Sequence, residues 1–389
     1  MTQPDSRLFQ PLRVGRCILD NRIAMAPLTR ARAQDNHVHQ TSLAKEYYAQ
    51  RASVPGTLLI TEGTLISPQA SGYENVPGIW NAEQIASWKE IVDAVHEKGC
   101  FIWLQLWALG RVASAECKAS EGTGDVFGPS ALPLDSPFLG LTWYKDKDEK
   151  PAVPRSLEEG EIQQLIDQYT TAALNAVDGA GFDGVEIHGA NGFLVDQFIQ
   201  ENSNCRTDRW GGSIENRSRF AVEVCRSVAN EIGADRVGIR LSPWSEFNVT
   251  RMADPIPQFS HLIETLKDLN LAYLHLIEPR VHANTDKEHV NEEESNEPFI
   301  DIWGKKSPVF LAGGFNSENT GEYVDVKYRD RDLVCVFGRY FISTPDLVYR
   351  LQNKIPLEPY NRATLYKVKS PDGYTDYPFS SQWQRRVRY

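Results

Sequence analysis

His188 and Asn191 stand three residues apart where an apolar run, Gly184-Val-Glu-Ile-His188, gives way to Gly189-Ala-Asn-Gly192. An imidazole and a carboxamide in that position are either satisfied core groups or part of a site. A metal reading needs more ligands. Glu186 shares a strand face with His188, one layer deeper, so it offers a carboxylate to a metal or to an arginine. No third ligand has convincing spacing. A second group of residues suits an anion. Gly313 and Gly314 follow one apolar run, and Gly338 and Arg339 follow the next. Glycine lets backbone N–H groups approach a phosphate, and arginine adds a charge-assisted fork. Gly-Gly alone is more often a turn; Arg339 at the matching position is what favours phosphate. Arg240 ends another buried run and needs a partner there. Thr29 and Gln105 add a hydroxyl and an amide at two further run ends.

These residues share one site only if the runs are strands with a common end. Eight runs read as strands buried on both faces: Arg22–Pro27, Thr57–Gly63, Cys100–Trp107, Gly184–Gly189, Val237–Pro243, Ala272–Pro279, Pro308–Gly314 and Asp332–Gly338. Helical patterns lie between most of them. One starts with a capping box at Ser156 and Glu159, carries Ile162, Leu165, Ile166, Tyr169 and Ala173 at helical spacing, and stops at Gly179-Ala-Gly181. Another starts near Ser213, with Glu215 in its first turn. The alternation predicts an α/β fold: a single (β/α)₈ TIM barrel over residues 1–389, whose sites collect at the C-terminal strand ends. An open doubly wound sheet would need a GxGxxG turn after its first strand, and there is none. The connections at about 108–155 and 280–300 are too long for plain loops and are expected as lids over that face. The tail after about residue 352 is expected to fold back over the mouth. The acidic run from Asn291 to Glu297 reads as a solvated face.

Composition narrows the function classes. The net charge of −11, with no Lys/Arg tract, argues against nucleic acid and anionic membranes as partners. No stretch approaches the length of a membrane span, and the N-terminal residues lack an apolar signal core. The six cysteines form no CxxC pair, and several sit in apolar runs, so they read as buried thiols of a cytoplasmic protein.

The motifs extend well beyond the strand ends. Ala26-Pro-Leu-Thr-Arg30, Ile60-Thr-Glu-Gly63, Ser67-Pro-Gln69, Leu104-Gln-Leu-Trp107, Gly128-Pro-Ser130, His188–Asn191, Asn204–Phe220, Arg240-Leu-Ser-Pro243 and Phe337–Ser343 run in register along the chain. Together they resemble the old yellow enzymes, FMN-dependent ene-reductases that use NADPH. The likeness is strongest toward fungal members, including those acting on chanoclavine-I aldehyde in ergot alkaloid pathways. The resemblance implies FMN across the barrel mouth. Pro27 and Gly63 would flank the ring, Thr29 would bond its C4 carbonyl, and Gln105 would meet the pyrimidine edge. Arg240 would sit near N1, and Gly313, Gly314, Gly338 and Arg339 would hold the phosphate. Trp107, Phe247 and Tyr377 would wall the substrate pocket. His188 and Asn191 would bind the carbonyl oxygen of an α,β-unsaturated aldehyde or ketone while hydride reaches its β-carbon.

One residue departs from the pattern. In the family, a tyrosine two residues after the Asn donates a proton to the α-carbon; here that position is Phe193, which has no dissociable proton. Three outcomes are open: reduction with another donor such as water or Tyr377, isomerisation by return of the hydride, or desaturation of a pathway intermediate. In the ergot branch of the family, a Phe at this site accompanies isomerase behaviour. A non-catalytic flavin-binding barrel and a non-flavin barrel hydrolase are the readings from other classes. The sequence leaves the substrate and the choice between monomer and homodimer open.

Overall fold

The computed structural model describes residues 6–134, 151–249, 251–282, 285–286 and 293–387. Its centre is a closed parallel barrel of eight strands: β1 (Ile23–Met25), β2 (Leu58–Leu65), β3 (Phe101–Trp107), β4 (Gly184–Gly189), β5 (Val237–Leu241), β6 (Tyr273–Ile277), β7 (Val309–Ala312) and β8 (Leu333–Phe337). The strands pair in chain order, and β8 closes on β1 with Cys335 opposite Ile23. β4 coincides with the run that the sequence marks, β2 runs two residues past the end of its own, and the others lie within theirs, trimmed at one or both ends.

Alternation along the strands sorts side chains between two cores. Val185 and Ile187 of β4 face outward into the layer shared with the helices, alongside Ile162, Leu165 and Phe220. Leu58, Ile60, Trp103, Tyr273, Phe310 and Val334 fill the interior. An antiparallel pair, Leu12–Val14 with Cys17–Leu19, joins that inner cluster. It closes the N-terminal end, where Gly15 packs against Asp235 and Ala272, just before β5 and β6. Gly238 is what lets Tyr273 lie inside, because a Cβ there would fall 2.3 Å from its ring. Above the stacked Tyr273 and Phe310 rings, 4.1 Å apart, the interior turns polar. Gln105, Glu186 and His275 come first, then His188 and Arg240 at the C-terminal end.

The helix after β3 departs from expectation at its start. Its capping box is Glu158 with Glu161, not Ser156 with Glu159. Ser156 is taken into a short parallel pairing with Gly128, so the cap moves along by two residues. The helix, Glu159–Leu174, continues as a π-turn through Ala180 and ends at Gly181, whose φ of 85° suits glycine. The helix after β4, Ile214–Ile232, is capped by Ser213, which accepts from the Asn216 N–H at 3.3 Å.

The tail folds back, held by two buried arginines. Arg30 donates to the carbonyls of Leu365 (3.1 Å) and Gly373 (2.6 Å). Arg32 donates to those of Thr364, Leu365, Ser370 and Asp372 at 2.8–3.1 Å. Tyr374 stacks on Tyr47 at 4.0 Å. Of the two expected lids, residues 135–150, 283–284 and 287–292 lie outside the described residues, as do Asn291 and Glu292 of the acidic run. Among the described residues no helix is long and apolar enough to cross a membrane. The six cysteines carry free thiols, with Cys205 the one exposed.

Candidate active site

The strand ends surround a cavity of about 490 Å³. Pro27 and Thr29 reach it from β1, Gln105 and Trp107 from β3, and His188, Asn191 and Phe193 from β4. Arg240 and Phe247 come from β5 and its loop, Gly313 and Gly314 from β7, and Gly338 and Arg339 from β8. Two residues expected here stand elsewhere. Gly63 lies beneath the lining, in β2 beside a register shift, and a Cβ on it would fall 2.8 Å from the Trp107 ring. It gives Trp107 a flat bed on β2. Tyr377 does not line the cavity; its hydroxyl accepts from the Asn361 N–H at 3.0 Å on the outer side of the tail. The tail instead sends Tyr360, Leu365 and Tyr366 into the mouth.

His188 and Asn191 are held as donors. The Ala190 N–H points at His188 Nδ1, 3.3 Å away, which places the ring proton on Nε2. Burial, reinforced by the Arg240 charge, holds the imidazole pKa well below its usual range, so the ring is neutral. Asn191 adopts φ +56°, a left-handed conformation that asparagine tolerates. Its backbone N–H donates to Ser242 Oγ (2.7 Å), its carbonyl accepts from Asn248 Nδ2 (2.9 Å), and its Oδ1 accepts from Ser245 Oγ (3.5 Å). Among the described residues no acceptor takes the side-chain NH₂, and Asn191 lines the cavity.

Phe193 closes the same corner edge-on, 4.8 Å from Trp107 and 4.9 Å from His188 between ring centroids. It is 5% exposed. The loop that carries it is pinned from below. Asp196 accepts from the Gly192 N–H (2.8 Å), and Gln197 donates to the carbonyls of Gly192 (2.8 Å) and Leu109 (2.9 Å).

Glu186 organises the floor. Its carboxylate accepts from Gln105 Nε2 (2.8 Å), Tyr273 Oη (3.0 Å) and His275 Nδ1 (2.7 Å), with all four side chains buried. Burial alone would raise its pKa. The His275 contact, the Arg240 charge and the Gln105 bond outweigh that and bring it below the ordinary carboxylate range. Burial lowers His275, so we assign a neutral imidazole that donates through Nδ1 to an ionised Glu186. Because Glu186 takes the Gln105 NH₂, the Gln105 Oε1 is turned away from it. Glu186 is thus a partner of Gln105, Tyr273 and His275. No group of three His, Cys, Asp or Glu able to hold a metal occurs among the described residues.

The residues present fit the flavin mononucleotide that the sequence resemblance implies. Arg240 Nε is buried with no hydrogen-bond partner among the described residues, as a donor awaiting a ligand would be. Gly313 and Gly314, at φ 135° and 62°, present bare backbone at the β7 end. Arg339 reaches the β8 end and donates to Tyr360 Oη at 2.8 Å. Arg280 and Tyr366 are among the lining residues that went unread in the sequence. Arg280 follows β6, and the rule that strand ends carry the site applies to it as well. Tyr366 lies in a tail with several tyrosines, and nothing in the sequence separates it from Tyr377.

The chain matches the family model described as the NADH:flavin oxidoreductase / NADH oxidase family over residues 7–358. It is 52% identical to a Penicillium roqueforti (strain FM164) protein named chanoclavine-I aldehyde reductase fgaOx3, over 98% of this chain and 99% of the relative. A relative from Claviceps purpurea (strain 20.1), 49% identical over 97% of this chain and 96% of its own length, carries the name "Probable inactive dehydrogenase easA". The solved old yellow enzyme from Trypanosoma cruzi superposes with a TM-score of 0.88 at 34% identity, covering 96% of this chain and 99% of that one.

Proposed function

The chain belongs to the NADH:flavin oxidoreductase / NADH oxidase family, and from that premise we propose that it acts on an α,β-unsaturated aldehyde such as chanoclavine-I aldehyde, isomerising its alkene rather than saturating it. FMN, when bound, carries hydride between NADPH and the alkene. Pro27, Thr29, Gln105 and Arg240 would hold its ring, and Gly313, Gly314, Gly338 and Arg339 its phosphate. His188 Nε2–H and the Asn191 NH₂ bind the aldehyde oxygen. They face charge that grows as hydride reaches the β-carbon, which is where donors lower a barrier. A neutral His188 suits this role, since it donates without giving up a proton to the oxygen. Trp107, Phe193 and Phe247 supply apolar walls.

The observation that carries the proposal is Phe193 beside His188. The enolate formed by hydride addition has a single Cα–Cβ bond and can rotate. No acid at position 193 traps it at the α-carbon, so the hydride can leave again and the alkene re-forms with its geometry changed. Side-chain acid catalysis is worth about 10²–10⁴-fold, a margin wide enough for the return to win. Turnover in D₂O tests this. Isomerised aldehyde without deuterium at the α-carbon supports the proposal; saturated aldehyde deuterated there refutes it.

The name carried by the Claviceps relative motivates a second reading, a flavin-binding barrel without turnover. A yellow protein that NADPH cannot bleach would favour that reading.

A further inference from the structure

We propose that Asp196 and Gln200 are positioning residues, which fix the loop that carries Asn191 to the loop that carries Phe247 and so set the pocket that an aldehyde meets. They stand four residues apart at the end of the short helix Leu194–Ile199, a spacing that brings side chains together. Both are fully buried, and neither lines the cavity. The Asp196 carboxylate divides its oxygens. Oδ2 accepts from the Gly192 N–H at 2.8 Å, and Oδ1 accepts from Gln200 Nε2 at 3.1 Å. Gln200 Oε1 in turn accepts from the Met252 N–H at 2.9 Å. A chain of bonds thus runs from the β4 loop, through two buried side chains, to the far part of the β5 loop.

The backbone between these ties needs holding. Asn191 and Gly192 are both left-handed, at φ 56° and 75°, a conformation that persists where surrounding contacts over-determine it. The near part of the β5 loop is already joined to it, since Ser242 Oγ takes the Asn191 N–H and Asn248 Nδ2 donates to the Asn191 carbonyl. Phe247, which lines the cavity, therefore has a tie to the β4 loop on either side. The carboxylate is what makes the chain possible. Its two donors meet different oxygens, and a carboxamide serves only one of them. If Asp196→Asn keeps the Gly192 N–H, its NH₂ faces the Gln200 NH₂. Gln200 can then answer only by turning its amide, which sets an NH₂ against the Met252 N–H. If the new amide is reversed, Gly192 is released instead. The exposed Asn202, which donates to the Arg251 carbonyl at 3.1 Å, would remain, so the loops are expected to loosen rather than unfold.

The inference rests on the reading that Asn191 holds the aldehyde oxygen, and the experiment separates the two. Oxidised, FMN-loaded, full-length protein is titrated with cinnamaldehyde in the absence of NADPH, following flavin absorbance. Wild type is compared with Asn191→Ala, Asp196→Asn, Gln200→Met and the double variant Asp196→Asn/Gln200→Met. An equal Kd for wild type and Asn191→Ala defeats the reading of Asn191, and the proposal falls with it. Where Asn191→Ala binds more weakly, Asp196→Asn and Gln200→Met are each expected to raise Kd roughly 3–10-fold, the net effect of one hydrogen bond. The double variant is expected to be no weaker than the weaker single variant, because both changes cut one chain of bonds. A purely structural role would lower the yield of folded holoenzyme and leave the Kd of what folds unchanged, and that result overturns the proposal. Losses that add in the double variant overturn it too. Gln200→Met keeps the bond between Asp196 and Gly192 and carries the test alone if Asp196→Asn does not fold.

Discussion

Replacing Glu186 perturbs the site without touching the cavity. Glu186→Leu removes the acceptor from Gln105, Tyr273 and His275, which sit 2.7–3.0 Å away and are buried. Each orphaned donor costs about 1–3 kcal/mol, so three would cost roughly 3–9 kcal/mol. Removing the buried carboxylate also removes its desolvation penalty, which offsets part of this. A net loss of about 3–5 kcal/mol is expected, typical of breaking a buried charged network from one side. That is a large share of the roughly 5–15 kcal/mol that holds a domain folded. Glu186→Gln keeps one oxygen for Tyr273 and His275 but turns an NH₂ toward Gln105. Gln105 must then rotate to offer its own oxygen, leaving its NH₂ toward the cavity. The expected loss is about 1–3 kcal/mol, for one bond misplaced, together with weaker FMN binding. Urea unfolding of the flavin-free protein and FMN titration measure the two effects. Unchanged unfolding in Glu186→Leu, with unchanged FMN affinity in Glu186→Gln, would refute the argument that Glu186 orients Gln105.

The buried pair Glu62 and His39, 3.7 Å apart, predicts a pH signature. Burial raises Glu62 from 4.5 to about 7 and lowers His39 from 6.5 to about 3. The folded state therefore keeps a proton on Glu62 that the unfolded state loses, and this contribution falls as pH rises from about 4.5 to 7, by up to about 3 kcal/mol. His39 acts in the opposite sense between pH 3 and 6.5. Glu62→Gln mimics the protonated acid, so the stability of wild type minus that of the variant should fall over pH 4.5–7; a flat difference in urea unfolding would count against a protonated Glu62. Arg32→Met releases four tail carbonyls. It should speed proteolysis between residues 362 and 375 and raise KM for the aldehyde more than it lowers kcat, since Leu365 and Tyr366 line the mouth. Unaltered proteolysis would mean that Arg30 and the Tyr47–Tyr374 stack hold the tail alone.

The eight strands were legible because strands buried on both faces read as short apolar runs between polar or glycine ends. The cap at Glu158 was not, because Ser156 is drawn into a pairing with Gly128 that only tertiary structure reveals. Most residues named for the cavity do line it, since strand position dictates which side chains reach a common mouth. Gly63 is not among the residues that line the cavity; it lies in β2 beside a register shift, against the Trp107 ring. The tail tyrosines could not be ranked, since which of them enters the mouth depends on where Arg30 and Arg32 grip the chain, a contact between residues more than 300 apart in sequence.

The central claim is that the site places a carbonyl under His188 and Asn191 but supplies no proton from residue 193. An anaerobic assay with FMN-loaded protein, NADPH and chanoclavine-I aldehyde or a simple enal, run beside Phe193→Tyr, addresses it directly. Wild type is expected to turn over many aldehydes per NADPH consumed. Phe193→Tyr should move toward one NADPH per saturated product. Wild type that consumes one NADPH for each alkene saturated, with no change in that ratio on Phe193→Tyr, would contradict it and make Phe193 pocket lining only.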